Sequence, residues 1–229
     1  MHDLFILRFL NEDPAERIEA LIWVVVVIFS VCLHELAHAW VAFKHGDDTA
    51  AEAGHLSLNP AIQMGPYSLI MLALFGLAWG AVPVDESRMR SRSSAAWVSA
   101  AGPLTNLGLM VLFAIGMTIS VLTIENPTTS LIYTIFLTGA HINAALFILN
   151  SLPIPMLDGW RVLGHFKPHL LAINPQTTRQ IGYMVLLLIF IARPLNDLLW
   201  NSADLLTTYS SLGILLALAL DILNFGLNF

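Results

Sequence analysis

Two histidines and a glutamate stand together in an otherwise hydrophobic stretch of the chain. Residues 20–33 carry no charged side chain, and His34, Glu35 and His38 follow directly. On a helix, His34 and His38 are four residues apart and project from one face, at a separation that suits two ligands of a zinc ion. Glu35 lies about 100° round that helix, where its carboxylate can act as a general base on water. This HExxH pattern predicts a metal-dependent hydrolase.

The surroundings of this motif predict a membrane location. The chain is 57% hydrophobic and only 11% charged, and an ionisable side chain at the bilayer centre costs about 2.5–3.5 kcal/mol on insertion scales. Charged groups are therefore kept at such depth for a function. The net charge of −6 and the lack of a basic stripe argue against nucleic-acid binding. A single cysteine, Cys32, excludes an internal disulfide and a cysteine-based zinc site.

The apolar segments predict an all-α polytopic membrane protein. Residues 19–43, 94–124 and 130–149 are each long enough to cross a bilayer. A further apolar stretch, 181–192, is interrupted by Arg193 and Pro194, and the tail 205–229 suits an interfacial helix or a last span. We expect one integral-membrane domain over 1–229, with a core at about 19–163 and a C-terminal part at 175–229. We identify no removable signal peptide.

Two short segments alternate like strands. Residues 54–59 and 81–84 lie between the first two predicted spans, and their patterns indicate short membrane-associated β-strands. The fold class predicted is therefore a core of transmembrane helices with short β-strands and a re-entrant segment.

A second chemical element is the sequence NSLPIPMLDG at residues 150–159. Its two prolines prevent a regular helix, and irregular backbone at membrane depth requires protein or a water-filled cavity around it. Asp158 is the natural third metal ligand, completing two histidines, one carboxylate and an open position. A helix cap or an ion pair with Arg161 is the alternative for Asp158. We expect Gly159 to allow a turn that aims this carboxylate.

Asn150 opens the same element. Its amide could donate a hydrogen bond to a substrate carbonyl or the oxyanion formed from it. The alternative is a structural role in which Asn150 caps the broken helix.

These motifs resemble the site-2 protease family of intramembrane zinc metalloproteases. The family pattern is HExxH followed by N-x-x-P-x-P-x-LDG, and residues 101–106 (AGPLTN) resemble its G-P-x-x-N motif. The resemblance covers about residues 31–163 and is greatest to the small bacterial-type branch without PDZ or CBS domains. It implies one zinc ion per chain, with His34, His38 and Asp158 as ligands.

The resemblance also implies the remaining roles. Glu35 would be the catalytic base and Asn150 a substrate or oxyanion contact. The substrate would be a transmembrane protein within the lipid bilayer, selected through its own transmembrane segment or through an adaptor protein. The location implied is a bacterial cell membrane. His55 departs from the family pattern, in which a basic arginine is usual.

Ligand geometry constrains the topology. If the HExxH motif and Asp158 share one metal ion, the first and third predicted spans must run in the same direction. The short apolar segment 66–79 is then expected to be re-entrant or packed within the protein. Arginine and lysine residues are concentrated on the metal-proximal face, so the positive-inside rule makes that face cytoplasmic.

Other polar residues receive simpler interpretations. Asn106 and Asn143 suit hydrogen bonds between helices, and His141 is either an accessory ligand or a packed polar contact. Histidines in the loops are expected to be solvated: His45, His55, His165 and His169.

Three function classes remain open. The favoured class is an intramembrane zinc endopeptidase. A different membrane zinc hydrolase, of the prenyl-protein-protease type, would need a downstream glutamate ligand, and none follows Glu125. A non-catalytic metal-dependent membrane protein would have no need for Glu35.

Overall fold

The computed structural model describes residues 5–10, 13–126, 130–170 and 174–226. Most of this part of the chain is helical, and the long helices are α1 (Pro14–Lys44), α5 (Arg92–Thr123), α6 (Leu131–Ser151), α8 (Pro175–Ile191) and α9 (Arg193–Gly226). The shorter helices are α2 (Thr49–Glu52), α3 (Pro60–Gln63), α4 (Gly65–Phe75) and α7 (Asp158–Phe166). Short 3-10 helices occur at Phe5–Leu10, Glu86–Arg88 and Pro168–Leu170.

Three helices, α1, α5 and α6, are long and apolar enough to cross a membrane. Helices α8 and α9 pass the same test only as a pair, and they are bent by 80° at the break between them. The apolar tail continues α9 as far as Gly226. Helix α4 has 11 residues, which at about 1.5 Å per residue is about half the thickness of a hydrocarbon core. These features make the chain a multi-pass membrane protein.

The ends of α1 follow from local sequence. Asp13 caps the helix by accepting a hydrogen bond from the backbone N–H of Ala15, and Pro14 occupies the first position, where no donor is needed. The helix ends at Lys44, and the N–H of His45 closes its last turn by donating to the carbonyls of Val41 and Ala42. Everything between is one continuous helix, so the HExxH motif lies well inside a predicted span.

Contacts between the three spans give their relative directions. His34 on α1 meets Asn106 on α5, and four residues later His38 meets the earlier residue Val98, so α1 and α5 are antiparallel. Asn106 also meets Asn143 on α6, and the later residue Gly116 packs on the earlier Phe136. Helices α5 and α6 are therefore antiparallel as well, and α1 and α6 run in the same direction. The predicted directions are confirmed.

The antiparallel pair α5–α6 packs through glycines. A Cβ atom at Gly116 would overlap the ring of Phe136, and one at Gly139 would overlap the ring of Phe113. Each glycine thus receives an aromatic ring from the opposite helix, and the two rings lie 6.3 Å apart between centroids. Small residues that allow such close approach are the usual means of helix association in membranes.

The predicted β-strands are wrong. No strand occurs at 54–59, at 81–84 or elsewhere in the ranges that the structure describes. The backbone groups that a neighbouring strand would have bonded are partly satisfied by one residue, Gln63. Its side-chain N–H groups donate to the carbonyls of His55 and Ser57, and its backbone carbonyl accepts from the N–H of Ala81.

Candidate metal centre

The three predicted metal ligands converge at one point. Nε2 of His34 lies 3.0 Å from Nε2 of His38 and 3.0 Å from Oδ2 of Asp158, and Nε2 of His38 lies 3.3 Å from the same oxygen. Both histidines are buried, and Asp158 is half-buried at the start of α7. Within the described ranges, no other three histidine, cysteine or acidic side chains are arranged to hold a metal ion.

The separations suit a tetrahedral ion. Bonds of about 2.0–2.1 Å from zinc to nitrogen or oxygen place neighbouring tetrahedral ligands about 3.3–3.4 Å apart. The observed distances of 3.0–3.3 Å are close to that spacing. Three protein ligands leave a fourth position open, which is the arrangement of catalytic rather than structural zinc sites.

The protonation of the imidazoles provides a physical test of the fit. Nδ1 of His38 lies 2.6 Å from the carbonyl oxygen of Val98, which can only accept, so Nδ1 must carry the proton. In neutral His38, Nε2 then carries a lone pair, which points at another imidazole nitrogen and at the carboxylate of Asp158. Lone pairs and a carboxylate in mutual contact repel one another unless a cation lies between them. The donor set therefore fits a divalent metal ion.

Gly102 on α5 forms the wall behind the two imidazoles. A Cβ atom at this position would overlap Nε2 of both His34 and His38. The absence of a side chain at Gly102 lets the backbone of α5 approach the ligands directly. In the sequence, Gly102 stands out only through the resemblance of residues 101–106 to the G-P-x-x-N motif.

Asp158 reaches the histidines through the break after α6. Helix α6 ends at Ser151, and Met156 in the following turn has a φ of 80°, a strained conformation for a residue with a side chain. Gly159 does not form the expected turn, because it lies inside α7. A Cβ there would overlap the carbonyl oxygens of Ser151 and Leu152, so Gly159 serves close packing of α7 on the end of α6.

Glu35 lies beside this cluster on α1. Its side chain is only 7% exposed, and the backbone of Gly80 packs against it. A buried carboxylate next to three candidate ligands is positioned for acid–base chemistry on a molecule held at the fourth metal position.

The structure places Asn150 in the last turn of α6, where Nδ2 donates to the carbonyl of Leu146 four residues earlier.

His141 lies on a different face of α6. Its Nε2 is 3.1 Å from Oδ1 of Asp204, and its ring stands edge-on to Trp200. His141 therefore belongs to the contact with α9.

The expectation that His55 is solvated is wrong. Its side chain is only 7% exposed, and Nδ1 bonds the side-chain oxygen of Gln63.

The sequence analysis did not assign a functional role to two residues near the metal ligands, Gly80 and Asn106. For Asn106, the signal that could have indicated such a role is its spacing from Gly102. Four residues apart on α5, they share one helical face, and that face meets His34. A single apolar helix offers no means of telling such a face from one that meets lipid.

Comparison with known proteins agrees with this site. The family model described as Peptidase family M50 matches residues 22–128, which include His34, Glu35 and His38 but end before Asp158. The protein named Putative zinc metalloprotease YwhC from Bacillus subtilis is 32% identical over 187 residues, covering 77% of this chain and 83% of its own length.

Two further relatives carry related names. Putative zinc metalloprotease Rip2 from Mycolicibacterium smegmatis is 33% identical, covering 74% of this chain and 66% of its own length. Putative zinc metalloprotease MJ0611 from Methanocaldococcus jannaschii is 34% identical, covering 66% of this chain and 72% of its own length. No solved structure gives a significant match.

Proposed function

Because this chain belongs to peptidase family M50, the family of site-2 proteases, we propose that it is an intramembrane zinc endopeptidase. Its substrates would be membrane proteins, cut within or next to a transmembrane segment. The observation that carries this proposal is the convergence of His34, His38 and Asp158 beside the buried carboxylate of Glu35. His34, Glu35 and His38 lie on α1, and Asp158 follows α6; both helices are long enough to cross a membrane.

His34, His38 and Asp158 are the proposed zinc ligands. Zinc in such a site supplies Lewis-acid chemistry, lowering the pKa of water from about 15.7 to about 7 and polarising a carbonyl. The protein contributes the geometry for this chemistry. The two imidazoles are held from behind by α5, and the carboxylate is delivered by the start of α7.

Glu35 is the proposed general base. Its carboxylate takes a proton from the attacking water as the new C–O bond forms at the scissile carbonyl. When the C–N bond breaks, the same group returns a proton to the leaving amine. One water is consumed, and a carboxyl group and an amine are produced.

Asn150 is proposed to contact the substrate carbonyl or its oxyanion. One N–H of its amide is engaged by the carbonyl of Leu146, and an amide nitrogen carries a second N–H. The second hydrogen is the group proposed to meet the substrate. Its place at the end of α6, just before the break that leads to Asp158, favours this role.

The active site is proposed to lie nearer the cytoplasmic face of a bacterial cell membrane. Basic residues are concentrated in the segments at the metal-proximal ends of the spans: Lys44, Arg88, Arg90, Arg92, Arg161, Lys167 and Arg179. Only Arg8, Arg17 and Arg193 are assigned to the opposite face. This asymmetry favours a cytoplasmic metal-proximal face.

The test uses the full chain purified in detergent. We expect about one zinc per chain, together with cleavage of a transmembrane model substrate at a defined peptide bond. Glu35→Gln should keep the zinc and abolish cleavage, whereas Asp158→Ala should lose most of the zinc. Full zinc retention in Asp158→Ala would exclude that residue as a ligand. Unchanged cleavage by Glu35→Gln would exclude Glu35 as the general base, and zinc binding without any cleavage by the wild type would favour a non-catalytic metal protein.

A further inference from the structure

A line of buried amides runs from His34 into the contact between the three spans. Nδ1 of His34 lies 2.5 Å from Oδ1 of Asn106, and Nδ2 of Asn106 donates to Oδ1 of Asn143 at 2.9 Å. Nδ2 of Asn143 donates at 2.8 Å both to the carbonyl of Gly139 and to Oγ of Ser30. The side chains of Ser30, Asn106 and Asn143 are 0% exposed.

The direction of every bond in this line follows from its far end. The Gly139 carbonyl can only accept, so the group of Asn143 that faces it must be the NH₂, and its oxygen must face Asn106. Asn106 must then present its own NH₂ to Asn143 and its oxygen to His34. His34 can satisfy that oxygen only by donating, which places the imidazole proton on Nδ1.

We propose that Asn106 and Asn143 are positioning residues that hold His34 as the Nδ1–H tautomer with its Nε2 lone pair aimed at the metal. This inference rests on the proposed function, since His34 is there a zinc ligand. Partners that bond the second nitrogen of a metal-bound histidine fix its tautomer and ring orientation and raise its basicity.

The two ligand histidines differ in the group that accepts a hydrogen bond from Nδ1. His38 donates to the backbone carbonyl of Val98, which offers no alternative donor. The partner of His34 is a side-chain amide, which could equally present its NH₂ after a rotation of 180° and would then favour the wrong tautomer. Asn143, anchored on the Gly139 backbone, removes that ambiguity, and this need accounts for two buried amides in series.

A purely structural role makes different predictions. Two amides that only join α5 to α6 would satisfy each other, and replacing them would lower the thermal stability without changing the zinc affinity of the folded protein. A positioning role predicts that zinc affinity depends on the acceptor offered to Nδ1 of His34. Zinc affinity and thermal stability must therefore be measured on the same samples.

The experiment compares zinc affinity, by chelator competition in detergent, across four variants of the full chain. Asn106→Leu removes the acceptor and should weaken zinc binding by about 10–100-fold. Asn106→Asp should bind zinc more tightly than Asn106→Leu, because one carboxylate oxygen can still accept from Nδ1 of His34, as in carboxylate–histidine–zinc sites. It should bind zinc less tightly than wild type, because its other oxygen would face Oδ1 of Asn143, which must then rotate. Asn143→Leu should give an intermediate loss, because Asn106 is retained but can rotate.

Thr118→Val is the matched control. Thr118 lies on the same helix, is 2% exposed, and its hydroxyl has no hydrogen-bond partner in the structure. Its replacement should leave zinc affinity unchanged. The absorption spectrum of the cobalt-substituted protein should report a tetrahedral site in wild type and Asn106→Asp and a changed site in Asn106→Leu.

A second measurement needs no Asn106 variant. Imidazole ¹⁵N chemical shifts in metal-free wild-type protein report which nitrogen of His34 is protonated, with the signal assigned by its loss in His34→Gln. We expect protonated Nδ1, and protonated Nε2 would overturn the inference. Equal zinc affinity of wild type and Asn106→Leu would overturn it as well. Absence of zinc binding by wild type would instead contradict the proposed function, while the tautomer would still test this inference.

Discussion

Gly80 packs so closely against Glu35 that no side chain fits between them. A Cβ atom at residue 80 would overlap Cγ and Oε1 of Glu35 and stand 2.5 Å from its Cδ. The segment that carries Gly80 is held on both sides, because Trp79 bonds Ser68 through its N–H and its carbonyl, and the N–H of Ala81 bonds the Gln63 carbonyl. The orientation of the proposed base is therefore set by the loop between α4 and α5.

Gly80→Ala should displace the Glu35 carboxylate and reduce cleavage. Since a misplacement of about 1 Å in a catalytic group can cost about 100-fold in rate, we expect a loss of that order in kcat. Zinc content should be unchanged, because the atoms nearest to a Cβ at residue 80 belong to Glu35 and not to a proposed ligand, and this measurement is the internal control. Wild-type turnover by Gly80→Ala would show that the position of Glu35 does not depend on this contact.

Gly102→Ala should remove most of the bound zinc. The new methyl group would occupy the space of Nε2 in both ligand histidines, so the imidazoles must turn away from the metal. The matched control is Gly108→Ala on the same helix, where a Cβ meets nothing within 4 Å. That variant should keep its zinc and gain about 0.5–1 kcal/mol of helix stability. Equal zinc content in the two variants would contradict the wall formed by Gly102.

Gln63→Leu should destabilise the loops on the metal-proximal side. The change leaves Nδ1 of His55 and the carbonyls of His55 and Ser57 without the partner they have in the structure. Each buried group left unsatisfied costs about 1–3 kcal/mol, which should lower the Tm measured in detergent. Gln180→Leu, a change at an exposed glutamine of α8, is the control. A Tm equal to that of the control would mean that the loops do not depend on Gln63.

Asp47, in the loop after α1, should make stability depend on pH. Burial acts to raise the pKa of Asp47, but hydrogen bonds from the Thr49 hydroxyl and from the N–H groups of Asp85 and Thr49 outweigh it and hold the pKa below its usual value. A depressed folded-state pKa contributes stability that is present above the unfolded pKa, about 3.9, and is lost as the pH falls through the folded-state value. The wild type should therefore lose this contribution only in acid.

Asp47→Asn tests that contribution. At pH 7 the variant should be less stable by about 1–3 kcal/mol. Both oxygens of Asp47 accept hydrogen bonds, so the NH₂ of the asparagine must face an N–H or O–H group that donates to the carboxylate in wild type. Below about pH 4 the difference from wild type should shrink. The neighbouring change Asp48→Asn removes only an exposed ion pair with Arg88 and should cost at most about 1 kcal/mol. A Tm difference for Asp47→Asn that stays constant across this pH range would count against the assignment.

The sequence alone determined the membrane character and the candidate chemistry of this protein. Long apolar runs determine that α1, α5 and α6 are helices long enough to span a bilayer, because every backbone group there must be bonded within the segment. Residue type and local spacing determine the metal chemistry of His34, Glu35 and His38, because a spacing of four residues on a helix places the two imidazoles on one face. The proline-broken segment also indicated Asp158 as the third ligand.

Tertiary structure decided what surrounds these groups. Alternating sequence at 54–59 and 81–84 predicted strands, but strand pairing depends on which segment lies alongside. Here the side chain of Gln63 bonds the first segment and its backbone carbonyl bonds the second. Gly80 belongs to no sequence motif, and the G-P-x-x-N motif that contains Gly102 and Asn106 does not say what these residues contact. Their roles arise from contacts between residues at least 37 positions apart, which local pattern does not encode. The sequence pattern specifies which metal ligands and which base are available. Only the packing of the three spans specifies that the backbone at Gly80 and Gly102 and the amide of Asn106 contact those side chains.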